Sequence, residues 1–246
     1  KRNPNAKQII KQLPLYWGTQ PFTSGPTYAG STVIFLFIFG LLFVKSEMRV
    51  WILLATIMSI MLAWGKNFMP LTDLFLDYFP GYNKFRAVSM ILVIAEFTIP
   101  LLGFIALNNF LSKKDESYDT DTKVQNIKTE KVSHVLVKSM KLKSLNIAFY
   151  LVGGLTLFFA LMPTLFFDFV GGQDTNLSKN GWPIDALQSD RASLLSSDAW
   201  RSFTFITLTF GTMWMFLKNR ISSKYVIFIL GLLVLADMWT VNKRYL

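Results

Sequence analysis

Residues Tyr28–Val44, YAGSTVIFLFIFGLLFV, run without a single charged side chain. A helix that crosses a bilayer needs about 17–25 mainly apolar residues, and apolar runs of only about 10–14 are more often helices buried in a soluble core. This run is long enough to lie in lipid. Five more follow it: Val50–Trp64, Ala87–Leu111, Asn146–Val170, Phe203–Leu217 and Tyr225–Val241. Val50–Trp64 and Phe203–Leu217 are short, and interfacial flanks or local bilayer thinning must help them across. The pattern predicts an all-α, polytopic transmembrane bundle of about six spans, with short interfacial helices between them.

Composition agrees with that class. Hydrophobic residues make up 52% of the 246, and charged residues 16%, below the roughly 25% of an ordinary soluble domain. The net charge is +10, but the basic residues fall between apolar runs instead of forming one soluble face. Anionic lipid headgroups suit that arrangement and nucleic acid does not. Cysteine is absent and His134 is the single histidine. Disulfides, thiolate metal sites and multi-histidine metal sites are thereby excluded, and no metal is expected. Ala63-Trp64-Gly65-Lys66-Asn67 contains Gly-Lys without the other residues of a phosphate loop.

Lysine and arginine in the loops set the expected orientation. The segment between the third and fourth runs carries eight lysines, at 113, 114, 123, 128, 131, 138, 141 and 143. Lys45, Arg49, Lys218, Arg220 and Lys224 fall in loops on the same side. That side is expected to be cytoplasmic. Both chain ends, the 65–86 loop and the 171–200 loop then face outward. The chain divides into spans one to three with the outer segment 65–86 (residues 1–111), a cytoplasmic basic linker (112–145), and spans four to six with the outer loop 171–200 (146–246). Within the linker, Val132, Val135, Leu136 and Met140 lie on one stripe between lysines. An amphipathic helix on the inner leaflet and a solvated lead into the next span both fit.

Chemistry is concentrated in Gly65–Arg86, GKNFMPLTDLFLDYFPGYNKFR. Pro70 can open a short helix there and Pro80 can close it. Asp73 and Asp77, four apart, share one face of that helix, with apolar residues around the other. The pair either hydrates the upper side of an interfacial helix or lines a cavity and binds a cation, a sugar hydroxyl or an acceptor. Lys84 and Arg86 follow at the mouth of the third span. They suit a phosphate headgroup, and equally the role of snorkelling anchors.

Glu96 lies inside the third run, where a carboxylate is costly unless it faces a cavity or a partner. Pro100 cannot donate to the Glu96 carbonyl, so a kink is expected. In the second outer loop a polar helix is expected over Asp185–Ser196, with Ser197 or Asp198 capping the next span. Arg191 and Arg201 are expected to be exposed there, as headgroup contacts or anchors. Asp237, near the end of the last run, is expected to be interfacial and not catalytic.

Several blocks resemble the bacterial YfhO family of membrane proteins. They are Tyr16-Trp17-Gly18-Thr19-Gln20-Pro21-Phe22-Thr23-Ser24-Gly25-Pro26-Thr27-Tyr28, Trp64-Gly65-Lys66-Asn67-Phe68 and Phe79-Pro80-Gly81-Tyr82-Asn83-Lys84-Phe85-Arg86. Ser189-Asp190-Arg191 and Ser197-Asp198-Ala199-Trp200-Arg201-Ser202 are similar to it as well. The resemblance implies a large polytopic protein of the bacterial inner membrane with the architecture of GT-C glycosyltransferases. Such enzymes take a sugar from a polyprenyl-phosphate donor and act on the outer face, here on an envelope polymer or lipid.

In that family type the acidic catalytic motif lies in the first outer loop. This chain is therefore expected to be an interior piece that packs against further N-terminal transmembrane helices. Asp73, Asp77 and Glu96 are then the candidate catalytic or positioning residues, and Lys84, Arg86 and Arg191 the candidate donor-binding residues. A lipid or polymer transporter, and a non-catalytic membrane scaffold, are the alternatives.

Overall fold

The structure is a computed structural model that describes residues 17, 27–84, 88–112, 127–172, 174–179 and 181–245. At 83, 88, 127–136, 244 and 245 it describes the backbone alone. All regular elements among the described residues are helical. They are α1 (Ser31–Phe43), α2 (Met48–Ala63), α3 (Met69–Tyr78), α4 (Leu92–Leu111), α5 (Ile127–Ala148), α6 (Gly154–Leu161), α7 (Asp174–Lys179), α8 (Ile184–Leu217) and α9 (Ser223–Tyr245). A π-helical turn, Phe149–Gly153, joins α5 to α6, and short 3-10 turns precede α3 and α4.

Three helical stretches are long and apolar enough to cross a membrane: Ser89–Leu111, Val137–Leu161 and Ser223–Lys243. A fourth is reached if α2 and the Gly65–Tyr78 segment, bent by 112° at their junction, count as one broken span. The first apolar run supplies only the 13-residue α1. The fifth run is not a separate helix. It forms the end of α8, which continues unbroken from Ile184 through the positions expected to cap a new span. No glycine or proline interrupts residues 184–203. Asp198 pairs with Arg201 at 3.3 Å within the helix instead of capping one. The helix that begins at Ile127 also runs through the linker boundary expected near 145. Residues 113–126 lie outside the described residues, as does the His134 side chain.

The described residues group into two compact units, 27–153 with 204–244, and 154–203 together with Trp17 and Tyr245. In the larger unit α1 packs against α4 along its length. Leu36 touches Gly103, and Gly40 lies so close to α4 that a Cβ there would stand 2.9 Å from the Leu102 side chain. Phe39 meets Phe110 edge-on at 5.5 Å. Small residues at such contacts let helices approach in lipid, where van der Waals packing replaces the hydrophobic drive. These contacts make α1 and α4 parallel. The Thr56–Thr98 hydroxyl contact (2.7 Å) and the Ser59 Oγ–Ile91 carbonyl bond (2.6 Å) run α2 antiparallel to α4. Phe149 stacks on Phe210 at 4.4 Å, and Val226 and Leu230 pack against Leu107.

Basic side chains finish two of these helices at the same end of the bundle. Arg49 Nη1 donates to the carbonyls of Leu41 (3.2 Å) and Val44 (2.8 Å), just past α1. Lys141, buried, donates from Nζ to the Phe110 carbonyl at 3.2 Å, in the last turn of α4. The same ammonium sits 6.0 Å and 5.9 Å from the Phe43 and Phe110 rings. A cation at a helix C-terminus meets the negative end of its dipole and satisfies carbonyls left without N–H partners. One lysine of the basic linker is thus part of the packed bundle.

Candidate functional site

The acidic segment is built on a sharp bend. After α2 the chain passes through Gly65, whose φ of 51° lies in the left-handed region, where a side chain would be strained. Thr72 Oγ1 ties the turn back to its start, with the Gly65 carbonyl at 2.9 Å and the Phe68 carbonyl at 3.2 Å. Pro70 sits in the first turn of α3 and the helix stops at Tyr78, before Pro80. These bounds match the short helix read from the two prolines.

Asp73 and Asp77 are exposed on α3. Below them Phe75 stacks on Phe79 at 5.5 Å and meets Tyr82 at 5.6 Å. Lys84 is exposed beyond that aromatic group. Neither aspartate nor Lys84 takes part in an ion pair or hydrogen bond among the described residues. The segment therefore presents two free carboxylates one turn apart, and an ammonium a few residues on. Arg86 lies outside the described residues. Glu96 is exposed on α4, which is a separate helix from the bend.

Arg191 is the largest correction to the sequence reading. Expected to be exposed, it is 1% exposed. Its guanidinium grips Asp174 with two bonds, Nη1 to Oδ2 at 2.7 Å and Nη2 to Oδ1 at 2.9 Å. Nη1 also donates to the Phe169 carbonyl at 2.7 Å. The Gly171 N–H donates to Asp174 Oδ2 at 2.7 Å. A Cβ at Gly171 would stand 2.9 Å from Arg191 Nη2 and 3.0 Å from Asp174 Oδ1, so the pair closes only around a glycine. The Arg191 hydrogen bonds hold the Asp174 carboxyl below its ordinary value of 3.8 against the opposing effect of burial, with help from the Gly171 N–H. A guanidinium held in this way is a structural clamp for the 154–203 unit and has no face left for a headgroup. Asp174 escaped the sequence reading, although Gly171-Gly172 just before it and an arginine on the following helix were its visible signals.

The sequence reading makes Asp237 only an interfacial residue. It is 0% exposed and holds a specific partner. Its Oδ2 accepts the backbone N–H of Ser31 at 2.6 Å, and its Oδ1 accepts the Tyr28 hydroxyl at 2.7 Å. A carboxylate from α9 thus caps the N-terminus of α1 from across the bundle, where the helix dipole favours negative charge. Gly30, at the N-cap, has no side chain to do this, and the Tyr28 hydroxyl accepts the same Ser31 N–H at a longer 3.2 Å.

Among the described residues no group of three or more metal-ligating side chains comes together. Comparison with known proteins gives no match: no family model, no curated protein and no solved structure is similar to this chain. Chemical inference therefore rests on the bend. Its two carboxylates can accept protons or bind a cation or hydroxyls, and its ammonium can meet an anion.

Proposed function

We propose that this chain forms part of a membrane-embedded glycosyltransferase of the GT-C kind, which uses a polyprenyl-phosphate-linked sugar to modify an envelope polymer or lipid on the outer face of the bacterial plasma membrane. In this reading all six apolar segments enter the bilayer, α3 lies along the outer surface and the basic linker is cytoplasmic. The observation that carries the reading is the pair of exposed carboxylates at the bend, Asp73 and Asp77, which have no partner among the described residues. The YfhO-like blocks on either side of them supply the donor class.

The chemistry follows from what the donor needs. A carboxylate of the pair takes the proton of an acceptor hydroxyl as its oxygen bonds to the sugar's anomeric carbon. The bond from that carbon to the phosphate oxygen breaks, and the polyprenyl phosphate leaves with the electron pair. Lys84, with Arg86 two residues on, offsets the charge that grows on the phosphate.

Purified intact protein in bilayers, supplied with a polyprenyl-phosphate sugar, provides the test. Asp73→Asn with Asp77→Asn should slow donor turnover by about 10²-fold or more, the usual contribution of a general base, with donor affinity kept. Lys84→Ala should raise the donor KM. Full turnover in the aspartate variant rejects the catalytic role. Movement of the donor across the bilayer with the sugar–phosphate bond intact would make the protein a transporter.

A further inference from the structure

Among the described residues one face of α4 is covered, and the opposite face is open over the first half of the helix. Ala95, Thr98, Leu102, Ala106 and Phe110 are buried, on the side that packs against α1 and α2. Val93, Phe97 and Phe104 are 63%, 67% and 61% exposed, and Glu96 is exposed with them. Steps of three, four and seven put Val93, Glu96, Phe97 and Phe104 in a stripe on one side of the helix. Leu107, on that side too, is buried against Val226 and Leu230 of α9, so the open part of the face ends near Phe104.

The apolar members of that stripe are at ease in lipid, but Glu96 is not. It lies seven residues inside the apolar stretch that begins at Ser89, about 10 Å at ~1.5 Å rise per residue. Long basic side chains can snorkel such distances; a glutamate is too short. Pro100 has no N–H, so the Glu96 carbonyl also lacks the donor that an unbroken helix would give it. Among the described residues no ion pair or hydrogen bond reaches the Glu96 side chain.

We propose that this stripe is an intramembrane docking surface for a transmembrane helix lying outside residues 1–246, which carries an arginine or lysine at the depth of Glu96. Charge complementarity selects the occupant. Lipid tails offer no donor to the carboxylate or to the freed carbonyl. A second copy docked through the same stripe would bring two Glu96 carboxylates together across a two-fold axis, and like charges in a dry interface repel. A basic side chain supplies the countercharge and has N–H groups to spare for the carbonyl. This assignment is independent of the glycosyltransferase reading and needs no sugar donor.

Benzoyl-phenylalanine placed at Phe97 of the intact protein, photolysed in native membranes, tests it. The expected adduct maps by mass spectrometry to a transmembrane helix with Arg or Lys within one turn of the linked residue, while the same probe at Phe228 yields lipid adducts. Glu96→Lys should cut the Phe97 adduct at least about tenfold, because like charges now face each other, and exchanging the mapped basic residue for glutamate should restore it. If Glu96→Lys does not accumulate, Glu96→Gln takes its place and must lower the yield. The proposal is overturned by lipid-only adducts at Phe97, by adducts confined to residues 1–246 of the same or a second copy, by a mapped helix without a basic residue, or by an unchanged yield in the Glu96 variants.

Discussion

Arg191→Ala strips about 3–5 kcal/mol from the packing of the 154–203 unit, the usual cost of leaving one member of a buried ion pair alone. The Asp174 carboxylate then keeps the Gly171 N–H but loses both guanidinium bonds while remaining out of water. Proteolysis or hydrogen exchange across residues 171–200, in protein held in bilayers, should show that loop opening. Replacing both partners, Arg191→Met with Asp174→Leu, should recover much of the loss, since no charge is then stranded. A double variant as labile as the single one would show that the backbone bonds, and not the charges, hold the loop.

The same pair fixes a pH dependence. Asp174 is held below 3.8 in the folded protein. Its contribution is therefore complete at neutral pH and is lost as pH falls from about 4 through the lowered folded value. In Arg191→Ala the bonds that lowered it are gone while burial remains, so the carboxyl takes up its proton at higher pH. The stability gap between the two proteins should narrow as the solution is acidified.

Asp237→Ala has the second largest effect. It removes the carboxylate that accepts both the Ser31 N–H and the Tyr28 hydroxyl. The N–H keeps its longer bond to the Tyr28 oxygen (3.2 Å) and the hydroxyl its contact with Ser31 Oγ (2.8 Å). Loss of the two stronger bonds costs about 1–3 kcal/mol in all, and the capping charge at α1 is lost as well. Asp237→Asn should be much milder, because its carbonyl can still accept from Ser31 while its amide donates to the Tyr28 oxygen. Tyr28→Phe should fall near the Asn variant. Thermal unfolding in a fixed detergent, followed by circular dichroism, gives the ranking. An Asp237→Ala protein as stable as the parent would contradict the cross-bundle cap.

The contrast between these residues explains what could be read in advance. Runs such as Ala87–Leu111 and Tyr225–Val241 announced helices of membrane length because hydropathy is a local property. The prolines at 70 and 80 likewise bounded α3 by local sterics. The burial of Arg191 and Asp237 was not legible because burial of a charge depends on a partner distant in sequence. Asp174 is 17 residues from Arg191, and Ser31 is 206 from Asp237. Lys141 was hidden for a similar reason: nothing local sets it apart from the other lysines of the basic linker, and its acceptor is the Phe110 carbonyl at the end of α4. The length of α8 was missed because Ser197 and Asp198 look like caps, and only the absence of a helix breaker before them favours continuity. The shared face of Asp73 and Asp77 on α3 was legible because an i, i+4 spacing in a helix bounded by two prolines is set by local geometry.

The proposed chemistry requires a helical bundle in a membrane, with α3 on its outer surface and α5 beginning on the cytoplasmic side. The chain has no cysteine, so single cysteines at Asp73, Asp77 and Lys138 can be labelled without background. In intact cells a membrane-impermeant maleimide should react at positions 73 and 77, and at 138 only after the membrane is permeabilised. Labelling of 138 from outside, or of 73 and 77 only after permeabilisation, would contradict the topology on which the proposed chemistry depends.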